Sequence, residues 1–254
     1  MRLVRYKFAL RFLKEAELPL FAGNTVRGAL GAALYRMGKP AYDRVFKVEI
    51  TESTPNPYTI SVPYPTKRHF QAGDTLVFSL TLFGNACEYI SDFVTAAKDM
   101  CRDKLGNCGF DGYDLEYDEI WSDEGVESIP PCNEILIEFV TPTEIFEKKD
   151  VIAEISFESF IKNLFGRISS IFDNYTDGEF IIPYALIARK PFVTAKYNIK
   201  PIRFQTSGQH INGFIGTINY FGNVTRYLPY IDLGSQIHIG KKSTRSCGEY
   251  IFKI

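Results

Sequence analysis

The stretch TLVFSLTLFGNACEYISDFVTAAKDMC, residues 75–101, decides the fold. Its first part sets Leu76, Phe78, Leu80 and Leu82 on alternate positions, the period of two that a half-buried strand requires. Its second part changes period: Ile90, Phe93, Val94, Ala97, Met100 and Cys101 recur at helical spacing and mark an amphipathic helix. Upstream, Arg2 to Phe12 alternate loosely and read as a strand. Pro19 and Gly23 then break the chain before Asn24, an expected N-cap, and Val26, Leu30, Ala33, Leu34 and Met37 form a helical stripe closed by Gly38 and Pro40. The proline-rich run Pro55–Pro65 is expected to be an extended loop. Downstream, a strand is expected around Tyr113–Trp121, followed by an acidic linker to Pro131. The first half thus reads strand–helix–strand–strand–helix–strand.

The second half repeats that order without repeating the sequence. Ile135, Ile137 and Phe139 suggest a strand, and Phe157, Phe160, Ile161, Leu164, Ile168 and Ile171 share one face of a helix. Strands are expected near Phe180–Ala188, Ile199–Phe204 and Phe214–Phe221. Asn223 is placed to cap a short helix that buries Val224, Tyr227, Leu228 and Ile231 and ends at Gly234, before a last strand from about Glu249 to Ile254. Two β-α-β-β-α-β halves, residues 1–130 and 131–254, read as an α+β protein of two tandem ferredoxin-like domains.

With 45% hydrophobic and 23% charged residues, the 254-residue chain falls in the globular range, which excludes a disordered or low-complexity function. Its five cysteines are odd in number and show no C-x-x-C spacing, so neither a disulfide framework nor a structural zinc site is expected. No run reaches the length of a membrane span, and charges interrupt the N-terminal segment; a cytoplasmic protein with no membrane partner is expected. The net charge of −1 hides an uneven distribution: residues 1–48 carry ten Lys/Arg against three Asp/Glu, residues 85–158 five against nineteen, and residues 189–254 ten against two. Two basic ends that met in space would attract a phosphate backbone, whereas each could equally be an ordinary solvated face. The acidic residues of Asp111–Glu127 alternate irregularly, which suits a solvated face better than a metal cluster.

Near the C-terminus, Gly240 and Gly248 bracket Lys241, Lys242, Ser243, Thr244 and Arg245. Glycines permit close backbone approach, so amide N–H groups and the flanking cations can face an anion together. The order G-x-x-x-x-G-K-[ST] of a nucleotide P-loop is absent, and no G-x-G-x-x-G follows a strand, which disfavours a nucleotide cofactor. A polyanion bound along the loop fits better; the plain alternative is a basic hairpin turn.

Five segments carry a family resemblance: LPLFAGNTVRGALGAAL at 18–34, LTLFGNA at 80–86, FVTPT at 139–143, FIKNLFGRISSI at 160–171, and Gly213–Tyr250. In this order along the chain they resemble the CRISPR-associated repeat-RNA endoribonucleases, the Cas six family of the repeat-associated mysterious protein superfamily. The resemblance implies two ferredoxin-like folds with a C-terminal glycine-rich loop and no cofactor. It also implies metal-independent cutting of precursor CRISPR RNA within each repeat, by attack of the substrate's 2′-hydroxyl on the adjacent phosphate. Repeat RNA and other CRISPR-associated effector subunits are the implied partners. A non-catalytic RNA-binding subunit of an effector complex is the alternative, and an interaction protein using its acidic middle is a third class.

Such a reaction needs proton transfer at two oxygens and cations near the phosphorane charge. Imidazole suits the proton transfer, and the chain has three histidines. His238 precedes the loop, His210 lies in a polar turn, and His69 sits beside Lys67 and Arg68; each also has a reading as an ordinary strand, turn or RNA-contact residue. Family members commonly carry a histidine on or near the first helix, where this chain has none; Tyr35, Arg36 and Lys39 are the substitutes there. The candidate catalytic residues are therefore His238, His210 and Tyr35. Candidate phosphate contacts are Arg27, Arg36, Lys39, Lys67, Arg68, Arg203, Lys241, Lys242 and Arg245, with Ser243 and Thr244 in the loop; Arg27 and Arg203 equally suit structural ion pairs. Tyr220 and Phe221 offer a stacking face to bases. Where the family has Gly-x-Gly, this chain has Ser246-Cys247-Gly248, a substitution that narrows the backbone approach, and Cys247 is expected to pack as a small apolar group.

Overall fold

The computed structural model describes residues 1–47, 54–100, 108–120, 130–147, 150–151, 154–178, 180–183, 185–186, 193–206 and 209–254. The chain forms two compact units, Met1–Ile120 with Thr244–Ser246, and Trp121–Ser243 with Cys247–Ile254. In the first, β1 (Arg2–Phe12) leads through β2 (Ala16–Glu17) to α1 (Gly23–Arg36) and a π-helical turn at Tyr42–Phe46. Strands β3 (Tyr58–Ser61), β4 (His69–Phe70) and β5 (Thr75–Phe83) follow, then α2 (Ile90–Met100) and β6 (Cys108–Ile120). The four longer strands make an antiparallel sheet in the order β3-β5-β1-β6, while β2 and β4 pair separately. The strand forms as expected, with Leu76, Phe78, Leu80 and Leu82 buried and Phe78 stacked on Phe8 of β1 at 4.9 Å between ring centroids, but it is not half-buried throughout: Ser79 and Thr81 on its other face are buried as well. Against them α1 sets Val26, Leu30, Ala33 and Leu34, and α2 sets Phe93, Ala97 and Met100. Each large apolar side chain so buried contributes about 1.5–3 kcal/mol.

The second unit repeats the order with β7 (Glu134–Thr143), the small pair β8 (Phe146–Glu147) and β9 (Asp150–Val151), and α3 (Phe157–Tyr175). The hairpin β10 (Thr194–Thr206) and β11 (Gln209–Phe221) follows, then α4 (Leu228–Ile237) and β12 (Tyr250–Lys253). Its sheet is antiparallel in the order β10-β11-β7-β12. Helix α3 starts at Ser156, whose hydroxyl accepts from the Ser159 amide, and buries Phe160, Leu164 and Ile168 against Phe139, Tyr220 and Tyr250.

Several local expectations are corrected. Helix α1 begins at Gly23, one residue before Asn24: Ala22 is the N-cap, its carbonyl accepting from Val26 N at 2.9 Å, while its own amide donates to Thr66 Oγ1 at 3.3 Å. The run Pro55–Pro65 is no mere loop: its proline-free centre forms β3, an edge strand whose flanking prolines need no ladder partner. No strand forms at 180–183, where Phe180 instead packs on Phe172 and Tyr230, and 185–186 are helical; 184 and 187–188 lie outside the described residues, as does the linker at 121–129. Asn223 Oδ1 accepts from the Thr225 amide and opens only a short 3-10 turn ahead of α4.

Gly234 does not end α4 but lies inside it, where an added Cβ would stand 2.2 Å from Tyr250 Oη and 2.4 Å from Leu164 Cδ1. Tyr250 Oη donates to Ile231 O at 2.6 Å, so the ring has nowhere to retreat without breaking that bond. Gly234→Ala is expected to lower stability by about 1–3 kcal/mol through overpacking. A thermal melt unchanged from the parent chain would refute this.

Candidate functional site

Among the described residues, every non-glycine with positive φ lies at residues 238–248. His238 (φ +59°), Gly240 (+75°), Lys242 (+62°), Ser246 (+67°) and Gly248 (+76°) all adopt the left-handed half of conformational space. Residues with a Cβ rarely go there, and clustered outliers mark functional segments. The loop is therefore not a plain basic hairpin turn. It leaves α4 at His238, passes through a 3-10 turn at Ser243–Arg245, and returns so that Ile239 N donates to Gly248 O at 2.9 Å and Gly248 N to Pro142 O at 3.1 Å. A Cβ at Gly240 would stand 2.2 Å from Glu144 O, so the backbone approaches there as closely as glycine allows.

His238 is corrected by this geometry. It is only 1% exposed, and its Nδ1 lies 3.1 Å from Cys247 O. It braces the loop from inside and is not presented on a strand face. Cys247 is fully buried, as expected of a small apolar group. Ser243 and Thr244 are buried too, each 7% exposed. Ser243 Oγ accepts from Arg167 at 2.9 Å, and the same guanidinium donates twice to Ile237 O, at 2.9 and 2.7 Å. A cation at the C-terminal carbonyl of α4 is favoured by the helix dipole. Burial pulls Arg167 down to about 10. The sequence reading missed Arg167; its signal was a position three residues after Leu164, beside the apolar stripe of α3.

Ser246 belongs with the first unit, where its hydroxyl accepts from Val62 N at 2.8 Å and donates to Val62 O at 3.1 Å. Those two bonds hold a serine in the conformation a glycine would adopt freely, which answers the apparent loss of a loop glycine.

Lys242 also needs correction as a phosphate contact. Its Nζ donates to both carboxylate oxygens of Glu144, at 2.6 and 2.8 Å, and to His210 O at 2.7 Å, spending all three ammonium hydrogens. Glu144 is 2% exposed and was not singled out by the sequence. Lys241 is exposed, its Nζ 4.4 Å from the Phe146 ring centroid. Arg245 is half-buried.

At the end of the β10–β11 hairpin, the register pairs Arg203 with Asn212 and Gln205 with His210. The period of two puts all four on one face, and all four are exposed. Arg203 Nε donates to Asn212 Oδ1 at 3.0 Å. With Phe204 and Ile211 they line an open groove carrying an imidazole, a guanidinium and two amides. Tyr220, by contrast, is buried with Oη donating to Ile155 O at 2.9 Å, so it offers no stacking face; burial pushes its hydroxyl well up. Phe221 remains 38% exposed.

In the first unit, Tyr35 is 70% exposed on α1, its ring 5.1 Å from that of Tyr42. Arg36 pairs with Asp99 at 2.5 Å, Lys39 with Asp92 at 3.5 Å, Lys67 with Asp74 at 2.5 Å, and Arg68 with Glu17 at 3.1 Å. The Lys67 ammonium and the Gln71 amide hold the Asp74 carboxyl below its usual range. Exposed pairs such as those of Lys67 and Arg68 are worth roughly 0–1 kcal/mol, so these two cations can exchange a carboxylate for a phosphate at little loss; the Lys39–Asp92 pair is half-buried. Arg27 lies 4.6 Å over the Phe46 ring. Beside it burial pushes the Tyr58 hydroxyl up to about 12, against the opposing pull of Arg27 and Arg245. His69 is exposed and faces Glu17 in the β2–β4 ladder.

Among the described residues no group of three or more His, Cys, Asp or Glu side chains is placed to hold a metal ion, and no helix is long and apolar enough to cross a membrane. The side chains of Asp111–Glu127 lie outside those described.

Two family models match the chain. One, AF_1859_N, described as an N-terminal domain, covers residues 1–135; the other, described as CRISPR-associated endoribonuclease Cas6, covers residues 137–250. No curated protein matches the sequence significantly. Among solved structures, a Cas6 product complex matches with TM-score 0.69 at 16% identity, covering 99% of both chains. Thermus thermophilus Cas6 matches with TM-score 0.67 at 15% identity, over 99% of this chain and 98% of its own. A partial Cas6-RT-Cas1–Cas2 complex matches with TM-score 0.70 at 13% identity, over 99% of this chain and 46% of that one. At these identities the likeness speaks for the fold, and it is the segment 137–250, holding the hairpin, the strained loop and the helix behind it, that matches the CRISPR-associated endoribonuclease Cas6 family.

Proposed function

We propose that this protein binds precursor CRISPR RNA and cuts it within each repeat, without a metal ion. The observation that carries the reading is the match of the Cas6 endoribonuclease model to residues 137–250. In support, the glycine-strained loop and the exposed imidazole–guanidinium face of β10–β11 both fall inside those residues. The element order and the two antiparallel sheets support tandem ferredoxin-like domains at 1–130 and 131–254, with the loop as an RNA-contacting element. The substrate being a transcript, the chain acts in the cytoplasm. Other CRISPR-associated subunits are further partners, as Cas1 and Cas2 are for the Cas6 of the Cas6-RT-Cas1–Cas2 complex.

In the proposed step the 2′-oxygen forms a bond to phosphorus while the bond from phosphorus to the 5′-oxygen breaks. The 2′-hydroxyl proton goes to a base and the 5′-oxygen takes a proton from an acid, leaving a 2′,3′-cyclic phosphate and a 5′-hydroxyl. With His238 buried, His210 is the proton-transfer group, and Arg203 stabilises phosphorane charge on the same face.

The test is cleavage of labelled repeat RNA from the host's own array, in EDTA, beside the same RNA carrying 2′-deoxy at the cut. Cleavage in EDTA that the deoxy substitution abolishes is expected. Equal cutting of the deoxy substrate would overturn the chemistry, and tight binding with no cutting would turn the reading to an RNA scaffold.

A further inference from the structure

Glu144 and Lys242 form an ion pair whose carboxylate is buried, with Lys242 Nζ 2.6 and 2.8 Å from the two carboxylate oxygens. A buried ion pair returns little net stability, because desolvating two charges offsets their attraction, and well-packed apolar residues do as well. Here the lysine also holds a left-handed backbone, φ +62°, a second local cost at the same point. The contacts indicate what is gained. Glu144 Oε1 accepts from Asn212 N at 2.8 Å, and Lys242 Nζ donates to His210 O at 2.7 Å. The pair therefore grips the β11 backbone on both sides of Ile211. Glu144 O also accepts from Lys241 N at 3.1 Å, tying the loop to the same point. His210 is the second residue of β11, one pair in from the end of its ladder with β10. Its side chain is exposed.

We infer that the Glu144–Lys242 pair is a positioning device that fixes the His210 backbone, and so aims its imidazole, for proton transfer to the RNA. This rests on the function proposed above. Neither residue touches substrate; they act through His210, and Asn212 extends the same support to Arg203.

The test is a double-mutant cycle. The charge-free pair Glu144→Gln with Lys242→Met keeps an acceptor for the Asn212 amide and buries no lone charge; if a thermal melt shows it unfolded, Glu144→Gln alone takes its place, leaving the remaining charge on Lys242, whose side chain reaches solvent. Single-turnover cleavage at saturating repeat RNA and the RNA Kd are measured in the wild-type and His210→Ala backgrounds. The pair is expected to slow cleavage on the order of tenfold to a hundredfold, with Kd nearly unchanged, and to slow the His210→Ala protein no further. The same loss in both backgrounds, or a loss of affinity with cleavage intact, would overturn the inference while leaving RNA cleavage standing. A wild-type protein that fails to cut the repeat at all would instead sink the functional reading first, and this inference with it.

Discussion

Gly248→Ala is expected to unfold the strained loop and to lower the melting temperature by about 10 °C. Gly248 has φ +76°, and an ideal Cβ there would lie 1.8 Å from Ile239 O and 3.1 Å from Ile239 N. The obstacle is backbone, so no rotamer change relieves it. Nor can the glycine move away alone: its amide donates to Pro142 O, at the end of β7, and its carbonyl accepts from Ile239 N, closing the loop on itself. An alanine carries about 1–2 kcal/mol for the left-handed conformation, and overpacking adds about 1–3 kcal/mol. At about 2–4 °C per kcal/mol for domains of this size, the sum gives the stated shift. Binding of repeat RNA should fall with it, since the cations of the loop lose their common frame. A melt within a degree or two of the parent protein would show that the loop tolerates the Cβ and that its strain is only apparent.

How far the sequence announced this molecule depends on the range of each interaction. Leu76–Leu82 and the Phe157–Ile171 stripe were legible because periodicity is a local property and each residue's burial follows from its neighbours. The strand β3 was missed since prolines on either side outweighed four β-prone residues between them, and an edge position suspends that rule. For the site, residue types showed where cations gather but not what they hold. Lys242 reads as a phosphate ligand until the fold brings Glu144 to it from 98 positions away. His238 reads as an exposed strand residue until the backbone turns at φ +59° and points the ring inward. The face shared by Arg203, Gln205, His210 and Asn212 was half-visible: the two runs were expected strands, but their register was not fixed by their own sequences. Long-range pairing, backbone handedness and register are the three quantities that a single sequence encodes only through the whole fold.

The histidines separate on the same grounds, and the expected result is a contrast between two variants. His210→Ala should cut repeat RNA at least about a hundredfold more slowly at saturating substrate, the scale on which a lost acid or base is felt. Its imidazole is exposed, stands on one face with Arg203, and its deletion leaves the backbone bonds to Lys242 and Glu144 in place. Folding should therefore be unaffected, and the loss should lie in rate. His238→Ala should behave in the opposite way. It removes a buried ring and the bond to Cys247 O, contacts that help hold a residue with a Cβ at φ +59° and ψ +169°, a region that essentially only glycine enters freely. The expected outcome is a loss of stability of about 1–3 kcal/mol, with the folded fraction cutting at a rate within about tenfold of the parent, an imidazole shut away from solvent having no path to the RNA. Melting curves and single-turnover rates on the same preparations check both halves. A His238 variant that folds like the parent yet loses its cleavage would place the proton-transfer group inside the loop, and would require the loop to open when RNA arrives.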